Sequence, residues 1–180
     1  MITVDRFVHY YTLPALVDIM KGGIHLHPDY LKNCIEEIKK LGDSQDRQTN
    51  LKGFMTSYHV YKETKVLDPI LEGIVEVSAM YTNRVFSVSE AWVGIYQKGD
   101  YAVEHDHVGT SLSFCYYMQA EKEDAAIEFV DANKKFYPTT GMLLVFPSNY
   151  RHKVHEQKTD NERVVLAGNL LYTEQLVNMR

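Results

Sequence analysis

The chain has 180 residues, the length of one ordinary domain, enough to bury roughly 70% of the surface that its unfolded form exposes. Its 45% hydrophobic and 24% charged residues exclude a disordered chain, and a net charge of −5 argues against a basic nucleic-acid glove. No apolar run reaches the ~18 residues of a membrane span. The opening segment MITVDRFVHYYTLPAL lacks the basic-then-apolar pattern of a leader. Two cysteines, Cys34 and Cys115, are too few for a disulfide framework. A cytoplasmic location is expected.

In chain order, the first strong pattern lies between Pro28 and Leu41. Leu31, Cys34, Ile35, Ile38 and Leu41 recur at spacings of three and four, which predicts a helix. Pro28 suits its first turn and Gly42 its end. Its other face carries Glu36, Glu37, Lys39 and Lys40. A broader stripe of Leu67, Ile70, Leu71, Ile74, Val75 and Val77 predicts a second helix over 66–81. Near residue 85 the character changes. The segments 91–96, 111–119, 125–131, 141–148 and 164–172 are rich in β-branched and aromatic residues. KGD, EKED, DANKKFYPTTG and KTDNE separate them as turns. No repeat and no linker interrupts the sequence. Residues 1–180 therefore read as one α+β domain, with 1–85 as helical support and first strands and 86–180 as an antiparallel β core.

Histidine carries the chemical signal. His105 and His107 stand in Glu104-His105-Asp106-His107, and on an extended chain residues two apart share a face. Both imidazoles can meet one metal while Asp106 points away. His152 and His155 follow the segment 141–148. A His-x-His with a distant His on a neighbouring strand is a facial metal-site pattern. His155, out of phase with His152, is expected not to be a ligand. Glu104 or Asp106 could supply a carboxylate only by breaking the alternation. His25 and His27, in His-Leu-His, read as a surface loop before Pro28.

Several pieces occur in a telling order: Tyr96-Gln-Lys-Gly99, His105-x-His107, Ser113-Phe-Cys-Tyr-Tyr117-Met, Gly141-Met-Leu-Leu-Val-Phe-Pro147, His152-Lys-Val154 and Glu162-Arg163. Together they resemble the 2-oxoglutarate/Fe(II)-dependent oxygenases, in particular the prolyl-4-hydroxylase-like branch and its phage and bacterial relatives. The resemblance covers about residues 91–172 and continues more weakly to Thr49-Asn-Leu-Lys-Gly-Phe-Met-Thr56. It implies a double-stranded β-helix, or jelly roll, with helices on its outside. It implies Fe(II) on His105, His107 and His152, and 2-oxoglutarate as cosubstrate. Arg163 would then grip the far carboxylate, with Tyr117 beside it and Tyr96 lining the pocket. The implied activity is hydroxylation of a protein side chain or small metabolite, with release of succinate and CO2. The segments 43–53 and 131–140 are the expected pocket walls.

The family places an Asp or Glu where this chain has His107. Three neutral imidazoles leave a ferrous site one charge more positive than two imidazoles and a carboxylate. Two other readings stay open. Gly99 with His105-x-His107, and Gly141 with Pro147 and His152, also resemble cupin motifs. The expected cupin glutamate is replaced by Ser111 or Leu112, however, and a glycine by Asn149. Cupins have no requirement for Arg163. The third reading is a non-catalytic phage-associated binding domain on the same scaffold.

Overall fold

The structure, a computed structural model, describes residues 9–12, 18–43 and 50–173. Its strands are β1 (His9–Thr12), β2 (Asp18–Gly23), β3 (Leu51–Lys52), β4 (Phe54–Met55), β5 (Val85–Tyr96) and β6 (Tyr101–His105). Then follow β7 (Leu112–Gln119), β8 (Ile127–Phe129), β9 (Lys134–Phe136), β10 (Met142–Pro147), β11 (His152–Val154) and β12 (Arg163–Thr173). The helices are α1 (Pro28–Leu41), α2 (Val60–Glu63) and α3 (Asp68–Thr82). None is long and apolar enough to cross a membrane.

The strands form two antiparallel sheets. The larger has the order β1-β2-β10-β7-β12-β5-β4, and the smaller β3-β6-β11-β8-β9. This is the two-sheet architecture expected of a double-stranded β-helix. Helix α1 has the bounds that its apolar spacing predicts. His27 caps it, its Nδ1 accepting a hydrogen bond from the Asp29 amide at 3.3 Å. Gly42 ends it at φ 81°, a backbone state that costs glycine little. Helix α3 begins two residues later than its stripe suggests and stops at Asn83 in the left-handed region.

Two cores divide the sheet faces. Leu31, Cys34, Ile35 and Ile38 of α1 and Ile70, Leu71 and Ile74 of α3 pack on the outer face of the large sheet. They meet Val93, Ile95, Phe114, Tyr116 and Leu166 there. The inner face joins Tyr117, Leu144, Phe146 and Val165 to Ile127, Phe129 and Val154 of the small sheet. Tyr116 and Tyr117 show the alternation directly: the hydroxyl of Tyr116 donates outward to the Ile24 carbonyl at 2.9 Å, while Tyr117 turns inward.

The strand boundaries differ from the sequence expectation in three places. β5 begins at Val85, six residues before the aromatic run, because β12 pairs with it from Tyr96 back to Val85. The segment 125–131 shrinks to β8, whose partners β9 and β11 are themselves three residues long. β2, β6 and β11 carry no periodicity of their own and are strands because neighbours supply their hydrogen bonds.

Candidate metal centre

β6 ends at His105 and β11 starts at His152, and the register makes these two residues direct cross-strand partners. Opposed residues in an antiparallel pair share a face, so both rings project between the sheets. After His105 the chain leaves the strand, and the His107 amide donates to the Ser148 carbonyl at 2.8 Å. That contact turns His107 back over the other two. One ring nitrogen from each of the three histidines lies within 4.8 Å of the others.

The ring orientation is fixed from behind. His105 Nδ1 lies 2.7 Å from the Val103 carbonyl, and His152 Nδ1 lies 2.8 Å from the Tyr150 carbonyl. A carbonyl only accepts, so each Nδ1 carries the hydrogen and each Nε2 keeps a free lone pair, as a metal ligand requires. Burial lowers the pKa of all three. His107 falls to about 4 and His152 to about 3, burial acting first and the neighbouring His105 second. The set is therefore neutral near pH 7 without any metal to hold it so.

The other candidates are engaged elsewhere. Glu104 forms an ion pair with Arg151 at 2.8 Å. Asp106 Oδ1 accepts from the Val108 amide at 3.4 Å. His155 sits 2.5 Å from Glu128. Neither carboxylate joins the cluster, and among the described residues the three histidines are the one group of this kind.

A cavity of about 630 Å³ extends from the cluster in both directions along the inner face of the large sheet. At one end lies Arg163, the first residue of β12 and the cross-strand partner of Tyr96. Its side chain is 1% exposed. The guanidinium carbon is 4.4 Å from the Tyr96 ring centroid and 5.0 Å from that of Tyr117. Among the described residues, Arg163 Nε and Nη1 and the Tyr117 hydroxyl have no hydrogen-bond partner. Burial pushes both phenols above their ordinary pKa, although Arg163 pulls the other way. Both are neutral hydroxyls able to donate. A buried cation without an anion is costly by several kcal/mol, and an anion entering this end of the cavity would relieve that cost.

Between the ends, the inward row is small: Gly94, Cys115, Val165 and Ala167. At the far end Ser113, Asn169 and Glu90 stand side by side on β7, β12 and β5. Ser113 Oγ donates to Asn169 Oδ1 at 2.8 Å, and Asn169 Nδ2 donates to Glu90 Oε2 at 2.7 Å. Trp92 and Tyr58 add aromatic walls, their rings 5.2 Å apart edge to face. These groups were not singled out from sequence. The signal was available in Glu90-x-Trp92-x-Gly94-x-Tyr96, where alternation puts Glu90 on the face of Tyr96.

The expected walls need correction. Asn50 and Leu51 do line the cavity, whereas 44–49 lie outside the described residues. The segment 131–140 does not line it: its chain forms β9 at the edge of the small sheet, drawn there by pairing with β8.

No protein-family model and no curated protein sequence matches this chain. Solved structures do. A viral collagen prolyl hydroxylase from Paramecium bursaria Chlorella virus-1, in complex with 2-oxoglutarate, superposes with a TM-score of 0.66 at 15% identity, covering 84% of this chain and 94% of that one. A Pseudomonas putida prolyl-4-hydroxylase gives 0.63 at 15% identity, covering 86% and 92%. HygX from Streptomyces hygroscopicus, with nickel and 2-oxoglutarate bound, gives 0.65 at 9% identity, covering 86% and 83%. The chain has the fold of the 2-oxoglutarate/Fe(II) oxygenases. At these identities the fold is what is shared, and the chemistry must be argued from the site.

Proposed function

We propose that this protein is an Fe(II)- and 2-oxoglutarate-dependent oxygenase that hydroxylates an organic substrate. One observation carries the reading: Arg163 is a buried guanidinium with two unsatisfied nitrogens and, among the described residues, no anionic partner, in the same cavity as a three-histidine cluster. A cupin has no use for that arginine. A domain that had lost its chemistry has no reason to keep so costly a charge without a partner.

The residues fit the cofactors. His105, His107 and His152 would hold the ion, offering three neutral nitrogens whose protonation needs no adjustment. Imidazole suits ferrous iron, and the more positive site favours a dianionic oxoacid. Arg163 would take the distal carboxylate through charge-assisted hydrogen bonds from the nitrogens that lack partners, with the Tyr117 hydroxyl donating beside them. Leu51, Ala102, Ile127 and Val154 give that end apolar walls, which strengthen the ion pair by keeping water away. The small residues Gly94, Cys115 and Ala167 leave room above the sheet between Arg163 and the histidines. Bound there, iron would activate dioxygen, the oxidant, with 2-oxoglutarate giving two electrons and leaving as succinate and CO2, so that one oxygen atom would end in succinate and the other in the substrate.

Anaerobic Fe(II) titration in the presence of 2-oxoglutarate tests this. A visible charge-transfer band that saturates at one equivalent of each is expected. No band, with no 2-oxoglutarate bound by the metal-loaded protein, rejects the reading.

A further inference from the structure

The two ends of the cavity have opposite charge. The cross-strand rows of the large sheet run from Arg163–Tyr96, through Val165–Gly94 and Ala167–Trp92, to Asn169–Glu90. At ~3.4 Å per residue, Arg163 and Asn169 are separated by about 20 Å of strand. Among the described residues Arg163 is the one Lys or Arg that lines the cavity. Glu90 lines the opposite end, half-buried, and among the described residues no cationic side chain pairs with it.

The Glu90 carboxylate is held and aimed. Its Oε2 accepts from Asn169 Nδ2 at 2.7 Å, and Asn169 is itself fixed by the Ser113 hydroxyl at 2.8 Å. Asn169 and Ser113 are each 2% exposed, so this relay sits in the wall and not in solvent. Because Asn169 Oδ1 is used by Ser113, the amide presents its NH2 to Glu90 and fixes the direction of its carboxylate. One row away, Trp92 faces the cavity with Tyr58 edge-on at its mouth. Trp92 is also within 5.6 Å, centroid to centroid, of the His107 ring, which ties this end to the metal cluster. A fixed carboxylate beside indole and phenol rings is a setting that attracts a cation by charge and by the ring faces together.

We propose that Glu90, oriented by Asn169 and Ser113, with Trp92 and Tyr58 beside it, selects a prime substrate that carries a positively charged amine or guanidinium close to the position oxidised. The proposal rests on the oxygenase reading for the role of that end of the cavity. The cosubstrate's anionic tail is drawn to Arg163 and repelled by Glu90, so the two charges also sort the two substrates to opposite ends.

Trp92 is the chain's single tryptophan, so its emission reports on this end directly. The protein is loaded with Ni(II), which is redox-inert here, and titrated with butylguanidinium and with its neutral isostere butylurea, with and without 2-oxoglutarate. Butylguanidinium should shift Trp92 emission saturably and bind roughly tenfold or more tightly than butylurea, the scale of a hydrogen bond to a charged group. Glu90→Gln keeps the size and the acceptor for Asn169 and should erase that preference. Glu90→Asp should retain part of it. Equal binding of the two probes, a preference that survives Glu90→Gln, or no response to either probe overturns the proposal. Calorimetric titration of 2-oxoglutarate into the same Ni(II) protein separates the two failures. If 2-oxoglutarate binds and the cation does not, only the Glu90 role falls. If 2-oxoglutarate does not bind, the oxygenase reading falls, and the probe titration without it still decides whether Glu90 selects cations.

Discussion

The strands β5, β7 and β12 show two faces with opposite logic. Outward, Ala91, Val93, Ile95, Phe114, Tyr116, Val164, Leu166 and Leu170 are buried against α1 and α3, and what matters is volume and hydrophobicity. Inward, the same strands carry a graded series, from Arg163, Tyr96 and Tyr117 through small residues to Ser113, Asn169 and Glu90. One face is interchangeable in kind, and the other is specific atom by atom. Stability should therefore respond to outward changes and ligand binding to inward ones.

The sharpest separation should come from Arg163→Leu. Removing one partner of a buried ion pair should weaken 2-oxoglutarate binding by about 3–5 kcal/mol. Fe(II) affinity should change little, because Arg163 is not among the clustered histidines. The ligand-free variant should melt no lower than the wild type, since it loses a buried charge that has no anion to meet. Paired titrations and a thermal melt check all three statements. Unchanged 2-oxoglutarate affinity would reject the assignment of Arg163.

The mirror experiment is Leu166→Ala on the outer face. Leu166 is fully buried, and its truncation should cost about 2–5 kcal/mol of stability. Once folded below its lowered melting temperature, this variant should bind 2-oxoglutarate within about twofold of wild type. Denaturant unfolding and calorimetry measure the two quantities, and a large loss of affinity would mean that the faces are not independent.

Acid should act through the inward face of the small sheet. The histidines hold their pKa low in the folded, metal-free protein, at about 4 for His107 and about 3 for His152. Unfolded, they return to the ordinary value near 6.5. Below that value the unfolded chain binds more protons, so stability is complete above about pH 6.5 and falls as pH drops towards the folded values. From pH 7 to 5 the metal-free protein should lose on the order of 1–2 kcal/mol for each of His107 and His152. His107→Gln should flatten this slope in denaturant midpoints measured across that range. An unchanged slope would show that His107 contributes nothing to it.

The smallest effect is expected for Tyr117→Phe. It deletes a buried hydroxyl that has no protein partner, so the metal-free fold should be unaffected or slightly more stable. Binding of 2-oxoglutarate should weaken by about 1 kcal/mol, the scale of one hydrogen bond. Calorimetry on the nickel-loaded variant measures it, and no loss would place the carboxylate away from Tyr117.

Sequence legibility followed the same division. α1 was readable to its ends because a long apolar period, a proline and a glycine agree. The long strands of the large sheet were readable for a related reason: β-branched and aromatic residues fill both of their buried faces. His105, His107 and His152 were recognisable from their types and order, and the cross-strand pairing of His105 with His152 explains why that order brings them together. Short strands such as β2 and β9 were not, since residues like those of Asp18–Gly23 take their conformation from partners distant in the chain. Glu90 was missed for a simpler reason. Reading the strand from residue 91 left it just outside, although the true strand starts at Val85.

The position of β12 in the large sheet governs how the molecule can be assembled during synthesis. β12 lies between β5 and β7, and until it emerges the sheet exists only as two fragments, β4 with β5 and β1-β2-β10-β7. One fragment then presents the β5 edge, with Val85, Phe86, Val88, Val93 and Tyr96, and the other the β7 edge, with Phe114, Tyr116 and Tyr117, the kind of edge that recruits other chains. A ribosome that pauses before residue 163 therefore holds a nascent chain with both halves made and neither joined. Arg163 enters with the joining strand, so the buried guanidinium and the completed sheet arrive together. Chaperone demand should concentrate in that interval of translation, and a frameshift or stop codon there should yield inclusion bodies instead of a soluble fragment.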